Sequence, residues 1–140
     1  MTHLLALTAT LATVVLSDDP GADAAKAYVL DASASTASAK VGESGKLVLA
    51  IRLTAPGWHV HPQAPLKIRF DAPPGLRVER AELGRRDALD PKAAEPRFET
   101  AFVATAAGAQ ESKATLDFFM CSDAACVKQT RTVAIPVIVR

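Results

Sequence analysis

Cys121 and Cys126 are the two cysteines of a 140-residue chain, and at five positions apart they can reach each other across a tight turn. A cysteine pair does redox chemistry with no cofactor: a partner thiolate attacks one sulfur, a mixed disulfide forms, and the second cysteine resolves it. In an oxidising compartment the bridge forms and persists. It closes a very short loop, where the chain-entropy model gives the least stabilisation, so a purely structural purpose is the less compelling one. Spacing alone leaves a redox pair, an inert hairpin staple and free or metal-binding thiols all open. Along the run Leu116 to Cys121, period-two alternation puts Leu116, Phe118 and Met120 on one face and Asp117, Phe119 and Cys121 on the other. Phe119 then projects beside the disulfide, as a shield, as a docking surface, or packed under a loop. Lys128 would favour a thiolate, and Asp123 would oppose it or carry a proton; both also suit an ordinary turn.

A second constellation is His59 and His61. Two apart on a strand, they share a face at a spacing where two imidazoles can hold one metal ion. Met120, Cys121 and Cys126 would add soft ligands for copper if the fold brought them near, which makes an exported metal-binding module the alternative function. The plainer reading has two surface histidines beside a buried Trp58, ahead of a turn at Pro62. A non-catalytic binding domain with a structural disulfide is the third class, since a fold does not settle a function. No Ser-His-Asp arrangement, paired carboxylates or Gly-rich phosphate loop supports hydrolase or nucleotide chemistry.

The elements that must position these residues are strands. Gly45 to Thr54 alternates, with Leu47, Leu49, Ile51 and Leu53 on one face and Lys46, Val48, Ala50 and Arg52 on the other. Leu66 to Asp71 repeats the pattern and ends in the turn chemistry of Ala72-Pro73-Pro74-Gly75. Leu76 to Leu83, Arg97 to Ala104, Lys113 to Met120 and Arg131 to Val139 follow, and Tyr28 to Ser33 opens the series. Pro136 cannot donate to a ladder, so the last strand should sit at an edge or carry a bulge there. No window combines helical period with caps; Asp87 to Glu95 is short and interrupted by Pro91. About seven short strands spaced by turns imply an all-β, immunoglobulin-like antiparallel sandwich in a single domain, with a small barrel as the alternative. The Cys loop then staples the tip of the last hairpin.

At the N-terminus, Leu4 to Leu16 has the length of a signal-peptide h-region, followed by polar residues and the small-residue site Ala22-Asp23-Ala24. The run is short of the roughly 20 residues a spanning helix needs. We read residues 1–24 as a signal peptide and 25–140 as the mature domain, soluble and exported, periplasmic in a two-membrane cell. Cleavage after Ala24 removes three aspartates and no base, which leaves 16 basic against 12 acidic residues. That balance is mild and the bases are scattered among few aromatics, so no nucleic-acid partner is expected.

The run Phe119-Met120-Cys121-Ser122-Asp123-Ala124-Ala125-Cys126, followed by Lys128-Gln129-Thr130-Arg131-Thr132-Val133, resembles the end of the N-terminal periplasmic domain of the thiol:disulfide interchange protein DsbD family. The block Ala55-Pro56-Gly57-Trp58-His59-Val60-His61-Pro62-Gln63-Ala64-Pro65 is similar to a segment of the same domains. The resemblance implies an immunoglobulin-like domain in which Cys121 and Cys126 cycle between disulfide and dithiol and pass electrons to other exported thiol proteins. It implies partners among periplasmic thioredoxin-like or disulfide isomerase proteins, with a separate membrane electron transporter as a candidate source of electrons. No cofactor is expected.

Overall fold

Alternating apolar residues make strands that must bury one face, and two such sheets bury theirs against each other. The computed structural model describes residues 19–140 in this arrangement. One sheet has the order β1 (Tyr28–Asp31), β3 (Ser44–Leu53), β8 (Arg97–Ala104), β6 (Leu76–Val78). The other runs β2 (Ser38–Ala39), β10 (Cys126–Val139), β9 (Gly108–Cys121), β5 (Lys67–Asp71), β7 (Glu82–Gly84), with β4 (His59–Val60) also paired to β9. The short β2 runs parallel to β10, and the other pairings are antiparallel. This is an all-β, immunoglobulin-like sandwich, and it has open edges where a barrel would have none.

The core lies where the alternation places it. Leu47, Leu49 and Ile51 of β3 and Phe98 and Phe102 of β8 meet Ile68 and Phe70 of β5, Leu116, Phe118 and Met120 of β9, and Ile135 and Val137 of β10. Val48, read as outward, is buried as well; the Ser35 hydroxyl accepts from its N–H at 2.8 Å and donates to its carbonyl at 3.1 Å, closing the ladder where β1 has ended. Pro136 sits where expected. The N–H groups of Ile138 and Arg140 point away from β9, to the carbonyls of Ala37 and Ala39, so position 136 also faces the outer edge and no ladder bond is lost.

Three elements differ from the sequence reading. The run Leu76 to Leu83 is two strands: β6 pairs with β8 in one sheet and β7 with β5 in the other. Glu79-Arg80-Ala81, with no large apolar side chain to bury, crosses between the sheets, and the Thr100 hydroxyl holds the crossing by bonding both the N–H and the carbonyl of Arg80. The hairpin arms are longer than read, 14 residues each, and carry the cysteines as their end residues. A helix was not expected, yet α1 spans Pro20–Lys26, with Asp19 as its N-cap accepting from Gly21 N–H, Pro20 opening it, Asp23 in the first turn and Lys26 in the last.

The h-region at Leu4 to Leu16 lies outside the described residues. The bond after Ala24, read as the cleavage point, lies inside α1, and Ala24 and the C-cap residue Ala27 are wholly buried in the core cluster. Among the described residues no helix is long and apolar enough to cross a membrane.

Candidate functional site

The site forms where the hairpin of β9 and β10 turns. Ser122-Asp123-Ala124-Ala125 makes the turn: Ser122 N–H donates to Ala125 carbonyl at 2.8 Å, and the Ser122 hydroxyl accepts from the N–H groups of Ala124 and Ala125 at 3.2 and 3.3 Å. Since the Ser122–Ala125 pair is hydrogen-bonded, the next pair down the ladder is not, and the side chains of such a pair stand closest. That next pair is Cys121 opposite Cys126, with Cα atoms 4.0 Å apart and the disulfide formed. Turn chemistry and register alone therefore place the bridge.

The two cysteines are not equivalent. Cys121 is 2% exposed and Cys126 is exposed. The cause is position in the sheet: Cys121 lies on β9, flanked by β10 on one side and β4 on the other, while Cys126 begins β10 at the end that β2, paired only with Ile138 and Val139, does not reach.

Gly57, at a positive φ of 78°, turns the chain into β4. There Val60 stands opposite Met120 on the core face, both buried, and His59 stands opposite Cys121 on the outer face, exposed. Directly opposed residues share a face, so His59, Cys121 and Cys126 make one row across three strands. The row below holds His61, Phe119 and Lys128: His61 N–H donates to the Phe119 carbonyl at 2.9 Å, and Lys128 is paired with Phe119. The third row holds Lys67, Asp117 and Thr130, and Thr130 donates to the Asp117 carboxylate at 2.6 Å.

Between β4 and β5 the segment 61–66 loops away from the sheet and is braced twice. His61 Nδ1 accepts from the N–H groups of Gln63 and Ala64 at 3.0 and 2.8 Å, and the Arg85 guanidinium donates to the carbonyls of His61 and Ala64. Arg85 is held by the 3₁₀ turn Arg85–Asp87, where the Asp87 carboxylate accepts from Gly84 N–H and pairs with Arg80, both at 2.7 Å. Those contacts hold the Asp87 carboxyl below the usual carboxylate range, the Gly84 bond first and the Arg80 bond second.

The structure thus brings Cys121, Cys126, Phe119 and Lys128 together on one face. Phe119 is half-buried and borders a shallow groove with Pro65, Lys67, Asp117 and Lys128. Asp123 is at the exposed tip of the turn. A second groove of about 400 Å³ runs beside the turn, between Pro20 and Asp23 of α1, Trp58, and Ser122, Ala124 and Ala125. Trp58, read as buried, is half-buried against the core.

For the metal alternative, Cys121 and Cys126 are bonded to each other, His61 Nδ1 is occupied as an acceptor, and among the described residues no group of three His, Cys, Asp or Glu side chains is placed to hold an ion. Sequence reasoning paired His59 with His61 and missed its place beside Cys121. The available signal was the apolar Val60 between them, which fixes both histidines outward once β4 docks on β9.

No family model matches the chain, and neither does any curated protein. Solved structures with similar sandwiches include a conjugative transposon lipoprotein from Bacteroides eggerthii, at 8% identity and TM-score 0.44, covering 79% of this chain and 96% of that one. AggA, the major subunit of aggregative adherence fimbriae type I from Escherichia coli, matches at 8% and 0.38 over 81% and 94%. The PapD-like domain 7 of human CEP192 matches at 10% and 0.35 over 96% and 98%.

Proposed function

We propose that the protein is an exported thiol-disulfide exchange domain of the DsbD N-terminal kind, which passes electrons through Cys121 and Cys126 to other periplasmic thiol proteins. The observation that carries this reading is the asymmetry of the bridge. A structural disulfide has no need of an exposed sulfur, whereas exchange needs one sulfur open to a partner and another held back to resolve the mixed disulfide. Cys126 at the sheet edge is the open one and Cys121, flanked by two strands, the resolving one.

The surroundings suit that chemistry. Lys128 is two residues along β10 from Cys126 and so on the same face, where its charge favours the Cys126 thiolate. The shallow grooves on either side give room for a partner loop. Partners of thioredoxin-like or disulfide isomerase type would dock there, with a separate membrane electron transporter re-reducing the pair. The apolar run Leu4 to Leu16 would be the export signal, with cleavage ahead of α1 and not after Ala24, because Ala24 is buried in the core.

The experiment is to incubate the folded, oxidised protein with a reduced thioredoxin-like protein in native buffer, quench with acid and tag free thiols. The reading expects two tags per chain within minutes and, when the oxidised form of the same partner is added instead, a Cys121→Ser variant that accumulates a mixed disulfide through Cys126. Tagging that appears only after denaturant would leave a stapled binding domain.

A further inference from the structure

The sulfur that must leave when Cys126 is attacked is the buried one. A thiolate appearing on a 2% exposed cysteine finds little water to stabilise it, and desolvation raises the cost of a charge. A poorer leaving thiolate slows exchange. The register supplies an answer: the residue directly opposite Cys121 on the side away from Cys126 is His59, on the same face and solvated. Opposed side chains of an antiparallel pair have Cβ atoms about 5 Å apart, which puts an imidazole within reach of Cys121 Sγ. We propose that His59 gives the proton to Cys121 as the disulfide opens and takes it back as the disulfide recloses. This inference rests on the exchange reading above.

The thiolate of a partner dithiol bonds to Cys126 Sγ while the Cys121–Cys126 bond breaks, and the electron pair of that bond leaves on Cys121 Sγ. Imidazolium His59 protonates it and recovers a proton from water. The partner's second thiolate then attacks the partner sulfur of the mixed disulfide and releases Cys126 as a thiolate, which solvent protonates. The partner dithiol is oxidised by two electrons to its disulfide, and the Cys121–Cys126 pair is reduced to the dithiol. In the reverse direction, neutral His59 removes the proton from Cys121 so that it can resolve the mixed disulfide.

The charged and titratable groups around His59 leave it this role. Just past the end of β4 stands His61, whose Nδ1 is committed to the turn. From β9 comes Asp117, two rows away and bonded to Thr130, and from β10 Lys128, one row away and diagonal. The turn carries Asp123 at its tip, and α1 contributes Asp23 to the groove that Trp58 also lines. Arg85, on the 3₁₀ turn, is spent on the carbonyls of His61 and Ala64. None of these stands in the Cys121 row.

The test is stopped-flow reduction of the full-length oxidised protein by dithiothreitol from about pH 5 to 8, the window in which imidazoles titrate, with each rate divided by the concentration of dithiothreitol thiolate. The wild-type corrected rate should fall with rising pH. His59→Gln should be flat and about tenfold slower at the acid end, the size of a modest change in leaving-group acidity. His59→Lys, which keeps the charge through the window, should be flat and fast. His59 is exposed, so both variants should keep the wild-type melting temperature. A His59→Gln profile that overlays wild type overturns this role and leaves the exchange reading standing. A wild-type disulfide that dithiothreitol does not open in native buffer overturns both.

Discussion

The two faces of β9 use the same alternation for opposite ends. On the inner face Leu116, Phe118 and Met120 are wholly buried, and Tyr28 meets Phe118 edge-on at a centroid distance of 5.0 Å. On the outer face Asp117, Phe119 and Cys121 stand among polar neighbours from β4, β5 and β10. The inner face fixes the register, because slipping β9 by one residue would turn Phe118 and Met120 to water. The outer face inherits that register and with it the row of His59, Cys121 and Cys126. The packing side thus positions the chemistry without taking part in it.

The sharpest way to break the contrast is to truncate neighbouring aromatics. Phe118→Ala should cost about 3–5 kcal/mol, as for a large side chain removed from a closed core, while Phe119→Ala should cost about 1 kcal/mol or less. Urea denaturation of both oxidised variants measures the difference, and equal losses would mean that the outer face is packed as tightly as the inner one.

Next in size is the bridge itself. Replacing both cysteines by serine should lower stability by about 2 kcal/mol, the chain-entropy value for so short a loop, and leave the fold intact by far-ultraviolet circular dichroism. Unfolding of the double variant would make the disulfide an essential staple and weaken the case for exchange.

A smaller effect probes the polar knot at the rim of the inner face. Tyr28 donates to Gln129 Oε1 at 2.9 Å, the Arg131 guanidinium donates to the same oxygen at 3.0 Å, and Arg131 lies 5.8 Å from the Tyr28 ring centre. Burial pushes the Tyr28 hydroxyl up, against the opposing charge of Arg131. Tyr28→Phe keeps the ring against Phe118 and leaves Gln129 one donor, so it should cost only about 1 kcal/mol. A loss several times larger, by thermal denaturation, would show the knot to be cooperative.

The smallest effect lies in the brace of the 61–66 loop. The Asp87 carboxyl is held low by Gly84 N–H and Arg80, so its contribution is present above the 3.8 of an ordinary aspartate and fades as the pH falls through the lowered value. The melting temperature of Asp87→Asn should therefore trail wild type at neutral pH and converge with it in acid. A constant gap would mean that the carboxylate charge is not what holds the turn.

Much of this was legible in the chain. Alternation located Leu47, Leu49 and Ile51 and the inner face of β9, and the same period put Phe119 with Cys121. The split of Leu76 to Leu83 was not visible, because Leu76, Val78 and Leu83 all face a core and nothing local says that the core belongs to two sheets. Helix α1 left a readable signal in Asp19-Pro20, an N-cap followed by a proline, which the small residues after it obscured by suggesting a cleavage site. His59 was hidden for a deeper reason. A strand of two residues has no period of its own, and only docking on β9 decides that it stands beside Cys121.

The most direct test of the central claim is the reduction potential of the Cys121–Cys126 pair in the folded protein, obtained by equilibration in thiol-disulfide buffers and tagging of free thiols. An exchange domain should fall between about −270 and −120 mV, the range spanned by thioredoxin-like and oxidising proteins. A value below about −300 mV, where structural bridges lie, would contradict the account.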